Sequence, residues 1–451
     1  MRRGQVITLR MEDMEFPSKA IGTFEDKKIY IKNALIGQKV EARVTKNRKE
    51  HSEARLMNVL ENAPSEVESF CPHFGDCGGC ARQTLPYEEQ VKLKGKLIQG
   101  LFDENNIAYD VFEDVLTSPE IYAYRNKMEY SFGDEVKGGE TTLGMHRKGR
   151  FMDVVTTGQC KIVHEDFNQI LLTVLDYFKS RGFTHYQRKQ HIGFLRHLIV
   201  RKGRQTGEIL VALNTSSQAT INEQEFVDVL RGLDLGGEIV GILHLIGDTV
   251  ADVVKPDEVK TLFGRDYYMD LIGDLKFKIS LFSFFQTNTL GAEKLYDKTI
   301  SYIDDIEGKD VFDLFSGTGT IAQIMAEKAK HVTAIELVED AVDAAKENAK
   351  LNDIDNCDFI AGDVFVEIQK VQKRPEVIVV DPPRVGIHEK AVKEIIKFDA
   401  KELVYVSCNP KSLVMNLIDF QEAGYRVEKV CPVDMFPHTP HCETVVKMSK
   451  Q

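Results

Sequence analysis

Residues 311–320 read Val311-Phe312-Asp313-Leu314-Phe315-Ser316-Gly317-Thr318-Gly319-Thr320, an apolar strand-like run that passes directly into a glycine-rich turn. Glycines there let the backbone approach a ligand closely, and the next apolar run ends in an acid, Glu336, placed to accept both hydroxyls of a ribose. The pattern predicts a nucleotide-type cofactor site. Strand-like runs recur at 310–315, 331–336, 357–362, 376–381 and 402–407. Helical stretches separate them, such as Ala341 to Leu351, whose apolar and alanine positions follow a helical period. This alternation builds a parallel sheet wrapped by helices. Two further runs, 425–435 and 444–449, lie close together and predict an antiparallel hairpin.

The 402–407 run leads into Val406-Ser407-Cys408-Asn409-Pro410, and further on comes His438-Thr439-Pro440-His441-Cys442-Glu443-Thr444. A thiol and a carboxylate so placed suggest covalent catalysis. A strand-end cysteine standing alone is ordinarily a packing residue. After a cofactor-type turn and an aspartate turn, Asp381-Pro382-Pro383-Arg384, it is predicted to react. The C-terminal third therefore reads as an S-adenosylmethionine-dependent methyltransferase that attacks its substrate through cysteine. Asp363, after Ala361-Gly362, is placed either to face an adenine or to cap a helix. Phe284-Phe285-Gln286-Thr287-Asn288 is an aromatic run ending in amides, or else a buried hinge.

The chain of 451 residues is long enough for about three domains, and its 43% hydrophobic content can fill several cores. No apolar run approaches the roughly 18 residues that span a bilayer, and Met1-Arg2-Arg3-Gly4-Gln5 is not followed by a signal-peptide core. A cytoplasmic location is expected. The net charge of -12 argues against wholesale polyanion binding, but the charge is unevenly spread. Residues 1–60 hold 13 Lys+Arg against 8 Asp+Glu within short alternating runs such as Lys28-Ile29-Tyr30-Ile31. They read as a small basic barrel of OB type that can hold single-stranded nucleic acid. Charged edge strands that guard against aggregation would look the same.

A second basic region runs from Arg181 to Arg204, with seven Lys+Arg, three His and no carboxylate, interleaved with Phe183, Tyr186 and Phe194. Its cations, Arg196 and Arg201 among them, are expected to meet phosphates, while the aromatics stack or pack. Arg125, in Tyr124-Arg125-Asn126-Lys127, and Arg147, in Met145-His146-Arg147-Lys148-Gly149-Arg150, are further candidates for the same RNA surface. The bland alternative is a solvated hairpin with core aromatics.

Cys71, Cys77 and Cys80 cluster in Cys71-Pro72-His73-Phe74-Gly75-Asp76-Cys77-Gly78-Gly79-Cys80, with another cysteine at Cys160. Four thiolates can close a metal site, and in a cytoplasmic enzyme clustered cysteines read as metal ligands rather than disulfides. Zinc and an iron–sulfur cluster both take such a donor set, and a lone Cys-x-x-Cys also suits a redox pair. Cys357, Cys431 and Cys442 are expected to be packing residues.

Taken together, these motifs (Cys-x5-Cys-x2-Cys with a distant fourth cysteine, FFQTN, DLFSGTGT, VVDPPR, VSCNP and HCET) resemble the RNA uracil-5 methyltransferases over nearly the whole chain. Within them the similarity is to the branch acting on 23S ribosomal RNA, which carries an N-terminal TRAM barrel and an iron–sulfur cluster. The resemblance implies a multidomain α/β protein: a TRAM/OB-like barrel over 1–60, a central α+β domain over 61–275 and a class I, Rossmann-like methyltransferase domain over 276–451. It implies a [4Fe-4S] cluster on Cys71, Cys77, Cys80 and Cys160, Cys408 as nucleophile and Glu443 as general base. It also implies S-adenosylmethionine contacts from Gln286, Phe315 and Asp381, beside the Gly317, Glu336 and Asp363 read from the fold. The partner implied is a structured loop of 23S ribosomal RNA. No membrane and no obligate protein partner are inferred.

Uracil C5 is a poor nucleophile, so the ring must be activated before it takes a methyl group. A thiolate added at C6 does this by creating carbanion character at C5, and a base then removes the C5 proton. The target base must leave its stack for the thiol to reach it. A transfer-RNA uracil-5 methyltransferase would share this catalytic domain, though its simplest members lack the barrel and cluster. A radical S-adenosylmethionine enzyme would use Cys-x3-Cys-x2-Cys and leave one iron open. A non-catalytic RNA-binding descendant would need neither Cys408 nor Glu443.

Overall fold

The computed structural model describes residues 1–251, 253–371 and 373–450. At the N-terminus, Val6–Glu15 alternates exposed and buried positions, sending Ile7, Leu9 and Met11 inward. This strand pairs with both Lys19–Phe24 and Lys39–Asn47. Lys27–Lys32 and His51–Glu61 complete a closed five-stranded barrel, these two running parallel. The arrangement fits the OB-like expectation.

A second sheet is built, in spatial order, from Glu258–Gly264, Glu238–Ile246, Glu208–Thr215, Leu195–Lys202, Lys127–Asp134, Thr141–Arg147 and Arg150–Thr156. Helices Glu165–Ser180 and Glu223–Arg231 cover one face through Phe167, Val174, Phe178 and Phe226.

The C-terminal sheet has the order Cys357–Ala361, His331–Glu336, Asp310–Leu314, Val377–Val380, Glu402–Ser407, Glu443–Lys450, Tyr425–Val433 and Tyr109–Phe112. The first five strands are parallel. Glu443–Lys450 then runs antiparallel between Glu402–Ser407 and Tyr425–Val433. Helices cover both faces, so the central strands are apolar throughout: Val377–Val380 is fully buried. The predicted strands and closing hairpin are all present, the run 425–435 ending at Val433 because Met435 N turns back to Val433 O.

The structure divides the chain differently from the expected boundaries in two places. Helix Tyr87–Glu104 and strand Tyr109–Phe112, placed by sequence in the central domain, belong to the C-terminal sheet, where Val427 pairs with Tyr109 and Val430 with Phe112. The boundary at 275/276 cuts the hairpin of Tyr267–Ile272 and Leu275–Ser280, which packs its Tyr268 and Phe277 into a core shared by the second and C-terminal sheets. No helix among the described residues is long and apolar enough to cross a membrane.

Candidate active site

The cofactor-type turn follows Asp310–Leu314, at the point where the parallel sheet's connections diverge to either side. This is the place where such sheets bind ligands. Phe315 adopts φ 66° without being glycine, and its N–H donates to Ile335 O at 2.9 Å, so the backbone is held in a conformation side chains disfavour. At Gly319, with φ 72°, an added Cβ would lie 2.5 Å from the Phe359 ring. Only glycine fits there. Gly317 N–H donates to Glu336 Oε2 at 2.9 Å, which fixes the carboxylate of the next strand end beside the turn.

Above these strand ends lies a cavity of about 1890 Å³. It is lined by Gln286, Phe315, Gly317, Glu336, Asp363, Asp381, Cys408 and Glu443, so the predicted cofactor and catalytic residues meet in one space. Asp363 caps the helix Val364–Glu367 by accepting from Phe365 N at 2.8 Å, the second of its two expected places, and it lines the cavity as well. Gln286 follows the exposed Phe284 and the buried Phe285. Asn288 is an internal fastener, donating to Met435 O at 2.9 Å while capping helix Thr289–Ser301.

Cys408 stands between the end of Glu402–Ser407 and the start of helix Pro410–Glu422, with Asn409 as N-cap accepting from Lys411 N. Strand and cap fix its place, and the helix N-terminus favours an anion there. Burial opposes this: with Glu443 and Asp381 adding to it and Arg384 offsetting, the thiol is pushed up to about 11. Glu443 is pushed up to about 8 by burial and then by Asp381, and Asp381 to about 7 by burial. Asp313 beneath the turn is pushed up to about 8, again by burial first and Asp381 next, with the Ala322 backbone offsetting part of the rise. The site thus concentrates buried carboxyls. A cationic ligand would relieve them.

Three lining residues had no role in the sequence reading. Arg384 donates toward His441 Nδ1 at 3.5 Å, and burial followed by Arg384 holds the His441 ring neutral by lowering it to about 4. Tyr296, on helix Thr289–Ser301, lies within the influence of Asp381 and Glu443. Position within Asp381-Pro382-Pro383-Arg384 and His441-Cys442-Glu443 was the available signal for the first two. Tyr296 carried none.

The same cavity reaches Cys71, Cys77, Cys80 and Cys160. All four are free. Burial, then Cys160, Cys77 and Cys71, push Cys80 up to about 12, and burial, then Cys71 and Cys77, push Cys160 up to about 11. Gly79 N–H donates to Cys77 Sγ at 3.3 Å. Among the described residues no group of three or more His, Cys, Asp or Glu is set in metal-holding geometry. The donor chemistry, four thiols with a backbone N–H already directed at one sulfur, fits a thiolate-bound centre. Cys431 and Cys442 are buried packing residues, as expected, and Cys357 is half-buried.

The basic segment requires correction. Arg196 and Arg201 are 4% and 1% exposed. Arg201 Nη1 donates to the carbonyls of Ser280, Leu281 and Ser283, and Arg196 Nη2 to those of Thr249 and Ala251. Tyr186 and Phe194 are buried. These two arginines are consumed by the fold and offer nothing to a phosphate. Arg125 lines the cavity with its Nε on Lys127 O, and Arg147 pairs with Glu135 on a hairpin that touches the cysteine loop through Cys77.

The order of the C-terminal sheet and the acidic cavity over its strand ends define the fold of an S-adenosylmethionine-dependent methyltransferase. The family model described as tRNA (Uracil-5-)-methyltransferase matches residues 253–451. Curated relatives named uncharacterized RNA methyltransferases include one from Clostridium acetobutylicum, 51% identical across 100% of this chain and 99% of its own, and one from Caldanaerobacter subterraneus, 43% identical across 100% of both. A solved structure of Pyrococcus abyssi tRNA (uracil-54, C5)-methyltransferase with S-adenosyl-L-homocysteine superposes with TM-score 0.78 at 23% identity, covering 98% of this chain and 100% of that one. The chain belongs to the RNA uracil-5-methyltransferase family.

Proposed function

We propose that the protein methylates C5 of specific uridines in 23S ribosomal RNA, using S-adenosylmethionine and a covalent adduct to Cys408. The observation that carries this is the meeting of Cys408 and Glu443 in the one cavity that also holds Glu336, Asp381 and the glycine turn. Glu336 suits the ribose diol, the Phe315–Gly317 backbone the methionine part, Asp363 the adenine side, and Gln286 and Asp381 the remaining polar contacts. S-adenosylmethionine, when bound, supplies the methyl group, and its positive sulfonium suits a pocket that holds several buried carboxyls.

Cys408 Sγ, as thiolate, bonds to C6 of a flipped-out uracil, and the C5–C6 π pair moves to C5 and O4. C5 would gain the methyl group, the pair of the broken S–CH3 bond staying on the cofactor's sulfur as a neutral thioether. Glu443 then takes the C5 proton, the C5–C6 double bond reforms, and the S–C6 bond breaks to return the thiolate. Arg384, which lowers both Cys408 and Glu443, offsets the charge that develops. Cys71, Cys77, Cys80 and Cys160 would hold a [4Fe-4S] cluster that organises the loop at the far end of the cavity. Arg125 and Arg147 are the cations proposed to meet RNA, with the N-terminal barrel holding flanking nucleotides.

A second reading has one observation in its favour. The Pyrococcus protein named for tRNA uracil-54 matches this fold over its whole length, so possession of the barrel does not separate ribosomal from transfer RNA. Mapping 5-methyluridine in both RNAs from cells with and without the protein decides: loss from 23S RNA supports the proposal, and loss from transfer RNA alone replaces it.

A further inference from the structure

Five charged or polar side chains lie fully buried where the N-terminal segments meet the turn that leads to Glu443. Lys94, on helix Tyr87–Glu104, donates to Asp434 Oδ1 at 2.6 Å and to Phe436 O at 3.0 Å. The side chains of this pair are 1% and 0% exposed. Gln90, one turn earlier, accepts from His438 N at 2.9 Å and donates to His438 Nδ1 at 3.1 Å, leaving His438 Nε2 to donate to Ile121 O at 3.0 Å. Ala81 N and Arg82 N both donate to His438 O, and Tyr124 OH donates to Pro437 O at 3.0 Å. Arg82, itself 0% exposed, donates onward to Pro17 O of the barrel at 2.7 Å. His438 is held at φ 66°, a conformation non-glycine residues rarely keep unless their surroundings impose it.

The partners on this turn thus come from residues 81–124, on the far side of the chain from the residues they hold. Buried ion pairs are commonly replaceable by apolar residues with no loss of stability, so burying one under the turn that leads to Glu443 asks for a reason other than stability. The turn continues through Thr439, whose Oγ1 accepts from His441 N at 3.2 Å, directly into Glu443. Placing a base within hydrogen-bond reach of a carbon-bound proton demands sub-ångström control, which a turn fixed from one side only does not give.

We propose that Lys94–Asp434, with Gln90 and the His438 ring, positions Glu443 for removal of the C5 proton, so that the N-terminal helix completes the base rather than the RNA grip. The inference rests on the reading of Glu443 as base. The double variant Lys94→Met/Asp434→Leu removes both charges and keeps the volume apolar. Expected for it are a melting temperature close to that of the parent, unchanged RNA KM and S-adenosylmethionine affinity, a kcat lowered at least tenfold, and accumulation of methylated protein–RNA adduct on unmodified uridine RNA. A kcat equal to the parent's, or adduct formation lost together with turnover, overturns it. If the double variant does not fold, Gln90→Met carries the same readout. Glu443→Gln run in parallel separates the two ideas: if it does not accumulate adduct, the assignment of the base has failed, whereas adduct with Glu443→Gln but none with the cage variants sinks only the positioning role.

Discussion

Gly317 N–H and Glu336 Oε2 are joined at 2.9 Å, so the acid at the end of the second parallel strand is fixed by the turn that follows the first. Its other oxygen, Oε1, accepts from Val338 N at 3.0 Å, which leaves the carboxylate oriented but still facing the cavity. A diol bound there meets a preorganised acceptor. Glu336→Gln, which can swing an N–H toward the turn, should weaken S-adenosylmethionine binding by about 10-fold or more, the loss of one or two charge-assisted hydrogen bonds. Calorimetric titration checks this. Affinity equal to the parent's would remove Glu336 from the cofactor site.

Cys408→Ala should abolish turnover while leaving cofactor affinity intact. With RNA carrying 5-fluorouridine, the parent protein should form a denaturation-resistant adduct that depends on S-adenosylmethionine, because fluorine at C5 blocks the last proton removal. Methylation by the alanine variant at the parent's rate would show that another atom attacks.

Burial raises Asp313, Asp381 and Glu443 to about 8, 7 and 8, well above their unfolded values. At a pH between the two values the folded protein binds more protons than the unfolded chain, so their contribution to stability is complete below about pH 4 and is lost as pH rises toward 8. Melting temperature of the ligand-free protein should therefore fall from about pH 4 to about pH 8 and level off above that, where both states have released these protons. Asp313→Asn should flatten part of that slope. Saturating S-adenosylmethionine should flatten it too, since a cation beside Asp381 and Glu443 lets them ionise at lower cost. A slope indifferent to both changes would mean these carboxyls are solvated in solution.

Anaerobically prepared protein should be brown, with about four irons and four sulfides. Cys80→Ser should lower RNA affinity or folding yield and leave S-adenosylmethionine affinity in place, because Cys80 lies outside the parallel sheet and its cofactor turn. Stoichiometric zinc without sulfide would assign the four thiols to a zinc site instead.

Arg201→Met should act on stability and not on RNA. It leaves the carbonyls of Ser280, Leu281 and Ser283 without their donor, at a cost of roughly 2 kcal/mol or more. The salt dependence of RNA binding should keep its slope, whereas Arg125→Met should lower the log–log slope by about 0.7 to 0.9 if its phosphate contact is real. A reversed result would return Arg201 to the RNA surface.

The parallel sheet was readable because its strands are covered on both faces, so Val377–Val380 or Glu402–Ser407 appear as unbroken apolar runs that periodicity detects. The places of Cys408 and Glu443 were legible for another reason: each stands at the end of an apolar run that forms a strand. Arg196 and Arg201 misled because Leu195–Lys202 is buried at every position, and their guanidinium groups are solvated by carbonyls of residues 249–251 and 280–283. Local charge density does not report such distant partners. The ion pair of Lys94 and Asp434 was hidden for the same reason, its members lying at opposite ends of the sequence.

Tyr109–Phe112 forms the outer edge of a sheet whose adjoining strand, Tyr425–Val433, is the penultimate one among the described residues. During synthesis the early strand leaves the ribosome and stays without its hydrogen-bonding neighbour until the chain has been extended through Tyr425–Val433. At the usual roughly 5–20 residues per second this interval is about 15 to 60 s. Over that time the unpaired edge and the apolar side of helix Tyr87–Glu104 are open to other nascent chains, so products truncated before Tyr425 should aggregate through this segment.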